Sequence, residues 1–283
     1  MELNEKDYNE KIKIFYYNSL NNTLLNKSIK CLKDNNCSFK LIKAAKGREV
    51  FKINLEQENY YLKKYSYQRF SKKFKNLFRS APALRALKIT KKLVDKEISV
   101  VEPILAVIYR RNLWTADSIF VTKDFGGVDL QDFLAYGDYD LDFKRQVVRE
   151  VARIWAGFYK GNFLNGDPNL ASILIKHNNA SFELGLVDVD NVRSLSFLSW
   201  KLVVKNLIEF NAHSYSGLYK MKGKKLDQED RFLFLEEFIK IYGKKEINIK
   251  ELADYIGKKT IKRLTDWGKQ DLILNDKRLS QFL

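Results

Sequence analysis

The chain has 283 residues, 45% of them hydrophobic and 30% charged, and its 51 Lys and Arg against 35 Asp and Glu give a net charge of +16. This length supports one large domain or a two-lobed unit with a substantial core, and the composition excludes a disordered or fibrous chain. No stretch reaches the roughly 20 apolar residues of a membrane span, and the charged start MELNEKDYNEKIKIFYYNSL has no apolar signal centre, so a cytoplasmic location is expected.

Residues 5–35 look weakly helical, and 1–22 are expected to form a helical extension. Cys31 and Cys37 are too few for a disulfide framework, and no further Cys or His completes a zinc spacing. Both are expected to be ordinary thiols near a loop.

The segment SFKLIKAAKGREVFKINLEQENYYLKKYSY alternates apolar and polar residues around two turns, which predicts three consecutive antiparallel strands. Alternation puts Lys63 and Lys64 on opposite faces of the third, one directed to a cleft and the other to solvent. Residues 67–96 place Leu84, Leu87, Ile89 and Leu93 at near-helical spacing. From Lys63 to Lys96 there are 12 basic residues and one acid, Asp95. Such a field favours a polyanion: nucleic acid, an anionic membrane surface or a phosphorylated glycan. No helix-turn-helix, zinc or single-strand-binding signature accompanies it, so nucleic acid is not expected. ISVVEPILAVIYRR and ADSIFVTKDF return to strand character.

From 143 onward, Val147, Val151, Ile154, Trp155 and Phe158 recur at three- and four-residue intervals, a strong amphipathic helix that ends near Gly161. The loop FLNGDPNLASILI follows, with Asp167 in it. SILIKHNNASFELGLVDVDNV then reads as a hairpin whose second strand ends in Asp188, and everything after about 195 reads as helical. His177 lies in a turn, and neither it nor His213 has a nucleophile or metal partner by spacing. The predicted fold is α+β and two-lobed, with a small antiparallel-sheet N-lobe with one basic helix over 23–123 and a larger, mainly helical C-lobe over 124–283.

That order matters because phosphoryl transfer asks little of the protein: a lysine for the nucleotide phosphates, one carboxylate for magnesium and another to orient the attacking hydroxyl. A strand lysine (Lys63 or Lys64), Asp167 after a long helix, and Asp188 at a strand end 21 residues later appear in the kinase sequence of parts. Each alone is commonplace; a loop Asp usually caps a turn.

The serial order of YYLKKYSY, the basic helix–loop–strand segment, FVTKDFGGVDLQDFL, VARIWAGFYKGNFLNGDPNLASILI and LGLVDVDNVR resembles the lipopolysaccharide kinase family, the Kdo/WaaP-type group of protein-kinase-like enzymes, over about 38–245. The resemblance implies an ATP- and Mg2+-dependent enzyme that phosphorylates a sugar hydroxyl of the lipopolysaccharide inner core. It gives Lys63 the phosphates, Asp124, Phe125, Gly126 and Gly127 the hinge against ATP in the cleft, Asp167 the acceptor hydroxyl, and Asp188 the metal. It also implies an anionic lipopolysaccharide core and lipid A as substrate, with segment 63–96 holding the enzyme peripherally at the inner leaflet of the cytoplasmic membrane. Asn165 stands where the family commonly has His, and Ser172 where an Asn binds a second magnesium, with Asn169 as a substitute. Only Gly47 stands where a glycine-rich loop is usual, no Glu in the following helix matches Lys63, and Asp190 serves as a cap or an additional ligand. The residues alone leave open a pseudokinase that binds anionic glycolipid and a small-molecule kinase of the aminoglycoside or choline type.

Overall fold

The structure, a computed structural model, describes residues 2–17, 20–33, 37–45, 47–55, 57–66, 80–112, 116–178, 181–219, 221, 223–276 and 279. It divides into two compact units, Met1–Lys92 with Val101–Phe125, and Leu93–Val100 with Gly126–Leu283.

The first unit is a seven-stranded antiparallel sheet in the order β1-β2-β6-β7-β5-β4-β3. Its strands are β1 (Asn4–Asn9), β2 (Ile12–Tyr16), β3 (Lys40–Ala45), β4 (Arg48–Leu55), β5 (Glu58–Tyr65), β6 (Pro103–Arg110) and β7 (Ala116–Lys123). The N-terminal segment is therefore strand and not the expected helical extension. Ile12 and Ile14 are fully buried on either side of half-exposed Lys13, a period of two that a helix would scatter around its axis. Helix α1 (Asn22–Lys33) lays Leu24, Leu25, Ile29 and Leu32 on the sheet face formed by Phe51, Ile53, Tyr60, Leu62, Leu105, Val107, Ile119 and Val121. Helix α2 (Pro82–Val94) begins against the other face, where the Ala83 amide meets the Ser118 hydroxyl at 3.4 Å.

Two cysteine and lysine expectations change here. Cys31, near the end of α1, is joined to Cys37 in a disulfide, so neither is a free thiol. The pairing needed no framework of further cysteines, because the two stand six residues apart in sequence with Cα atoms 4.6 Å apart. Lys64, expected in solvent if Lys63 faces inward, is buried instead. Its ammonium donates to the Cys31 carbonyl at 2.9 Å, so α1 covers that face completely enough to require a partner for the charge.

The second unit is mainly helical. It contains β8 (Val128–Asp129), α3 (Leu130–Tyr136), α4 (Leu141–Lys160), β9 (Phe163–Asn165), a single 3-10 turn (Leu170–Ser172), β10 (Ile173–His177), β11 (Phe182–Leu186), β12 (Val192–Ser194), α5 (Trp200–Tyr219), α6 (Gln228–Tyr242), α7 (Ile249–Asp266) and α8 (Gln270–Asn275). The predicted hairpin is present: β10 pairs β11 from Ile173↔Leu186 to His177↔Phe182, and β8 adds on the other side. Trp155, Phe158 and Tyr159 of α4 are buried in an aromatic cluster that Phe210 of α5 and Phe238 of α6 join. A mainly aliphatic and aromatic cavity of about 340 Å³ lies among α3 to α7, with Asp230 and Arg231 among its few charged linings. No helix among the described residues is long and apolar enough to cross a membrane.

Candidate active site

The loop around Asp167 is fixed at both ends by short pairings. β9 and β12 pair antiparallel, with Asn165 opposite Val192, and the Gly166 amide donates to the Asn191 carbonyl at 3.0 Å. Three-residue strands carry too little periodicity to be legible in sequence, yet this pair holds the loop's entry against the segment that leaves Asp188.

Within the loop the support is a chain of amides. The Asp167 amide donates to Asn165 Oδ1 at 3.0 Å, Asn206 Nδ2 donates to the Asn165 carbonyl at 2.7 Å, and the Tyr159 hydroxyl donates to Asn206 Oδ1 at 2.9 Å. Asn165 and Asn206 are buried, and burial pushes the Tyr159 phenol well above its ordinary range, so it stays a donor. Asn165 thus braces the loop through its side chain, which accepts from the Asp167 amide. Asn206 went unnoticed in the sequence because nothing local marks a buried Asn 41 residues away in a helix.

Asp167 itself is half-exposed, with its carboxylate 3.5 Å from His213 Nε2. His213 is the second residue the spacing missed. It lies seven positions after Asn206, two turns along the same face of α5, which brings both to one loop. Asn169 donates from Nδ2 to the Asp167 carbonyl at 3.0 Å. Ser172 is buried, and its hydroxyl donates to the Asn169 carbonyl at 2.7 Å. The Ser172 carbonyl accepts from the Val187 amide at 2.9 Å, which seats the residue before Asp188 on the loop. Asp188 and Asp190 are both half-buried, and the Asp190 amide lies 3.5 Å from Asp188 Oδ1. Among the described residues no group of three or more His, Cys, Asp or Glu forms a protein-only metal cage. The donors present are hard oxygens in ones and twos, the set with which magnesium is held jointly by carboxylate and phosphate.

In the first unit, Lys63 lies opposite Val50 and Phe120 on the sheet face that carries Ser118 and α2, with its ammonium 5.8 Å from the Tyr65 ring centre. Asp124 is committed by its main chain to the Asn59 carbonyl and by its carboxylate to Lys52 at 2.9 Å, an ion pair that raises the Lys52 ammonium. Phe125 closes this unit and Gly126 opens the other. Gly126 has φ +74, a left-handed conformation that favours glycine. Gly127 has a separate reason: a Cβ there would run into the Ile175 carbonyl, which its backbone approaches too closely for any side chain.

An antiparallel-sheet unit with one helix on each face, followed by a helical unit with a buttressed Asp loop and a strand-end Asp, defines a protein-kinase-like fold. The model of the lipopolysaccharide kinase (Kdo/WaaP) family matches residues 39–228, more than half the chain, and the chain belongs to that family. A solved structure of WaaP in complex with acyl carrier protein superposes with TM-score 0.57 at 15% identity, covering 80% of this chain and 88% of that one. Rad53 1–466 in complex with AMP-PNP is a more distant likeness, TM-score 0.41 at 17% identity, over 83% of this chain and 61% of that one. No curated protein matches the chain by sequence. Membership in a kinase family makes the chain a phosphotransferase that uses ATP.

Proposed function

We propose that the protein transfers the γ-phosphoryl group of ATP to a sugar hydroxyl, Kdo or heptose, of the lipopolysaccharide inner core. The observation that carries this reading is the Asp167 loop: a half-exposed carboxylate on a main chain locked by Asn165 and Asn206, joined through Ser172 and Val187 to the segment bearing Asp188. Asp167 orients the acceptor hydroxyl and takes its proton. Lys63 binds the phosphates, and Asp124 to Gly127 form the hinge against the nucleotide. Asp188 holds the magnesium, which when bound supplies charge neutralisation at the phosphates. Asn169 offers an amide oxygen for a second ion, with Ser172 serving mainly to hold Asn169 in place. The buried Ser172, standing where the resemblance places an Asn ligand for a second magnesium, is also what favours a binding-only pseudokinase as the second reading.

The test is mass spectrometry of the host's lipopolysaccharide core with and without this gene. Loss of one phosphate is expected; unchanged core phosphate would sink the proposal.

The basic segment supports work at the inner face of the cytoplasmic membrane. Arg85, Lys88 and Lys92 stand exposed at three- and four-residue spacing along α2, while the part over 67–79 lies outside the described residues. Each such charge contributes on the order of 1 kcal/mol near an anionic surface. Binding to anionic liposomes that fades with rising salt is therefore expected, with a triple Arg85→Gln, Lys88→Gln, Lys92→Gln variant releasing at lower salt. Equal binding to neutral and anionic liposomes would remove this surface from the account.

A further inference from the structure

We propose that His213 is a positioning residue for Asp167, its Nε2–H holding one carboxylate oxygen so that the other meets the acceptor hydroxyl. This rests on the reading of Asp167 as the acceptor-orienting group. In that step the acceptor oxygen bonds to the γ-phosphorus as the bond from phosphorus to the β–γ bridging oxygen breaks. ADP leaves with that electron pair, and the hydroxyl proton passes to Asp167. A carboxylate that is half-exposed on a loop rotates freely unless something fixes it, and misorientation of the reacting groups costs rate steeply.

The contact is built rather than incidental. Nε2 lies 3.5 Å from Asp167 Oδ1, a separation that shortens to a hydrogen bond by a small side-chain rotation. Behind it, the imidazole rests on the Trp267 indole with ring centres 4.7 Å apart. The Arg263 guanidinium lies 5.1 Å from the same indole and pairs with both Glu209 oxygens, at 2.8 and 2.9 Å. Asp167 from the loop, Glu209 from α5 and Arg263 from α7 are thus the charged groups that face His213. Burial lowers its basicity below the ordinary 6.5, the two carboxylates act upward, and Arg263 acts downward. In its neutral form His213 donates one hydrogen bond without trapping Asp167 in an ion pair. Protonation of the ring at lower pH makes that ion pair. Trp267 and Arg263 lie beyond residues 39–228, so the backing of the family's central loop comes from a part of the chain that the family model does not match.

The chain has only two histidines, so the imidazole signals of His177 and His213 are assigned in NMR by a single His177→Asn variant. Asp167→Asn should lower the titration midpoint of His213; an unmoved His213 would overturn the contact. In parallel, transfer from ATP to dephosphorylated lipopolysaccharide core is measured against pH. His213→Leu should lower kcat about ten- to a hundredfold, the range of a hydrogen bond to a charged group, with KM for ATP unchanged. His213→Gln, which keeps a donor but cannot titrate, should restore kcat to within about threefold of wild type and displace the acidic limb of the profile. Transfer lost in Asp167→Asn but untouched in His213→Leu would overturn this inference alone. Transfer undiminished in Asp167→Asn would overturn the reading beneath it as well.

Discussion

Replacing Asp167 by Asn is expected to slow phosphoryl transfer by about 10²- to 10⁴-fold, the contribution of a positioned general base, while ATP binding stays at the wild-type level. The asymmetry follows from which atoms hold the loop. Asp167 is anchored through its amide on Asn165 and its carbonyl on Asn169, neither of which uses the carboxylate. An amide of the same size therefore leaves the main chain where it is and removes the charge and the ability to take a proton. Turnover and calorimetric ATP binding, measured on the same preparation, check both halves. Turnover within a few-fold of wild type would show that the acceptor proton goes elsewhere, and wild-type turnover no higher than that of the variant would favour the pseudokinase.

The second large effect concerns stability and lies far from any proposed chemistry. Lys144 on α4 is buried against the start of α6, 2.7 Å from Asp230 and 3.2 Å from Asp227. The two aspartates also cap α6 reciprocally, each accepting from the other's backbone amide. Burial alone would lower the Lys144 ammonium, but the hydrogen bond to Asp230 and the attraction of both carboxylates outweigh it and raise it. Lys144→Met would leave Asp230, only 2% exposed and lining an apolar cavity, as an uncompensated charge. Breaking a buried pair in this way costs about 3–5 kcal/mol, measured as the change in urea unfolding free energy near pH 7.

Its pH dependence has a defined sign. Lys144, raised, contributes stability that is complete below its ordinary 10.5 and lost as pH climbs through the raised value. Burial acts upward on Asp227, but the Asp230 amide and Lys144 bring its net shift below its ordinary 3.8, so its share is present above that value and lost as pH falls through the lowered one. The penalty of Lys144→Met should thus hold across the neutral range and shrink in acid. A penalty below about 1 kcal/mol at pH 7 would mean that water reaches the pair.

The order of elements was legible because alternation and helical periodicity survive in single segments. The strands around Lys63, the long helix before Asp167 and the hairpin before Asp188 each carry their own pattern. The N-terminal strands were misjudged although Ile12-Lys13-Ile14 alternates, because β1 is exposed along its whole length and gives no apolar face to read. Asp167 stood out as a loop Asp, but Asn206, His213 and Trp267 are brought to it from 39 to 100 residues away by packing. No local propensity encodes such meetings. The Cys31–Cys37 pairing escaped for a different reason: the argument from cysteine number addresses whole frameworks, and a single short-range bond does not need one.

The run Tyr159–Asn206–Asn165 has a consequence for the setting proposed for this enzyme. An anionic leaflet at about −30 mV concentrates protons and makes the adjoining water roughly half a pH unit more acidic than the bulk. A loop braced by imidazole at position 165 would sense that difference, because the ring changes charge close to neutrality. Carboxamides and a deeply buried phenol do not, so the brace is indifferent to the acidity of the surface beside it. The geometry of the loop is thereby separated from its acid–base chemistry.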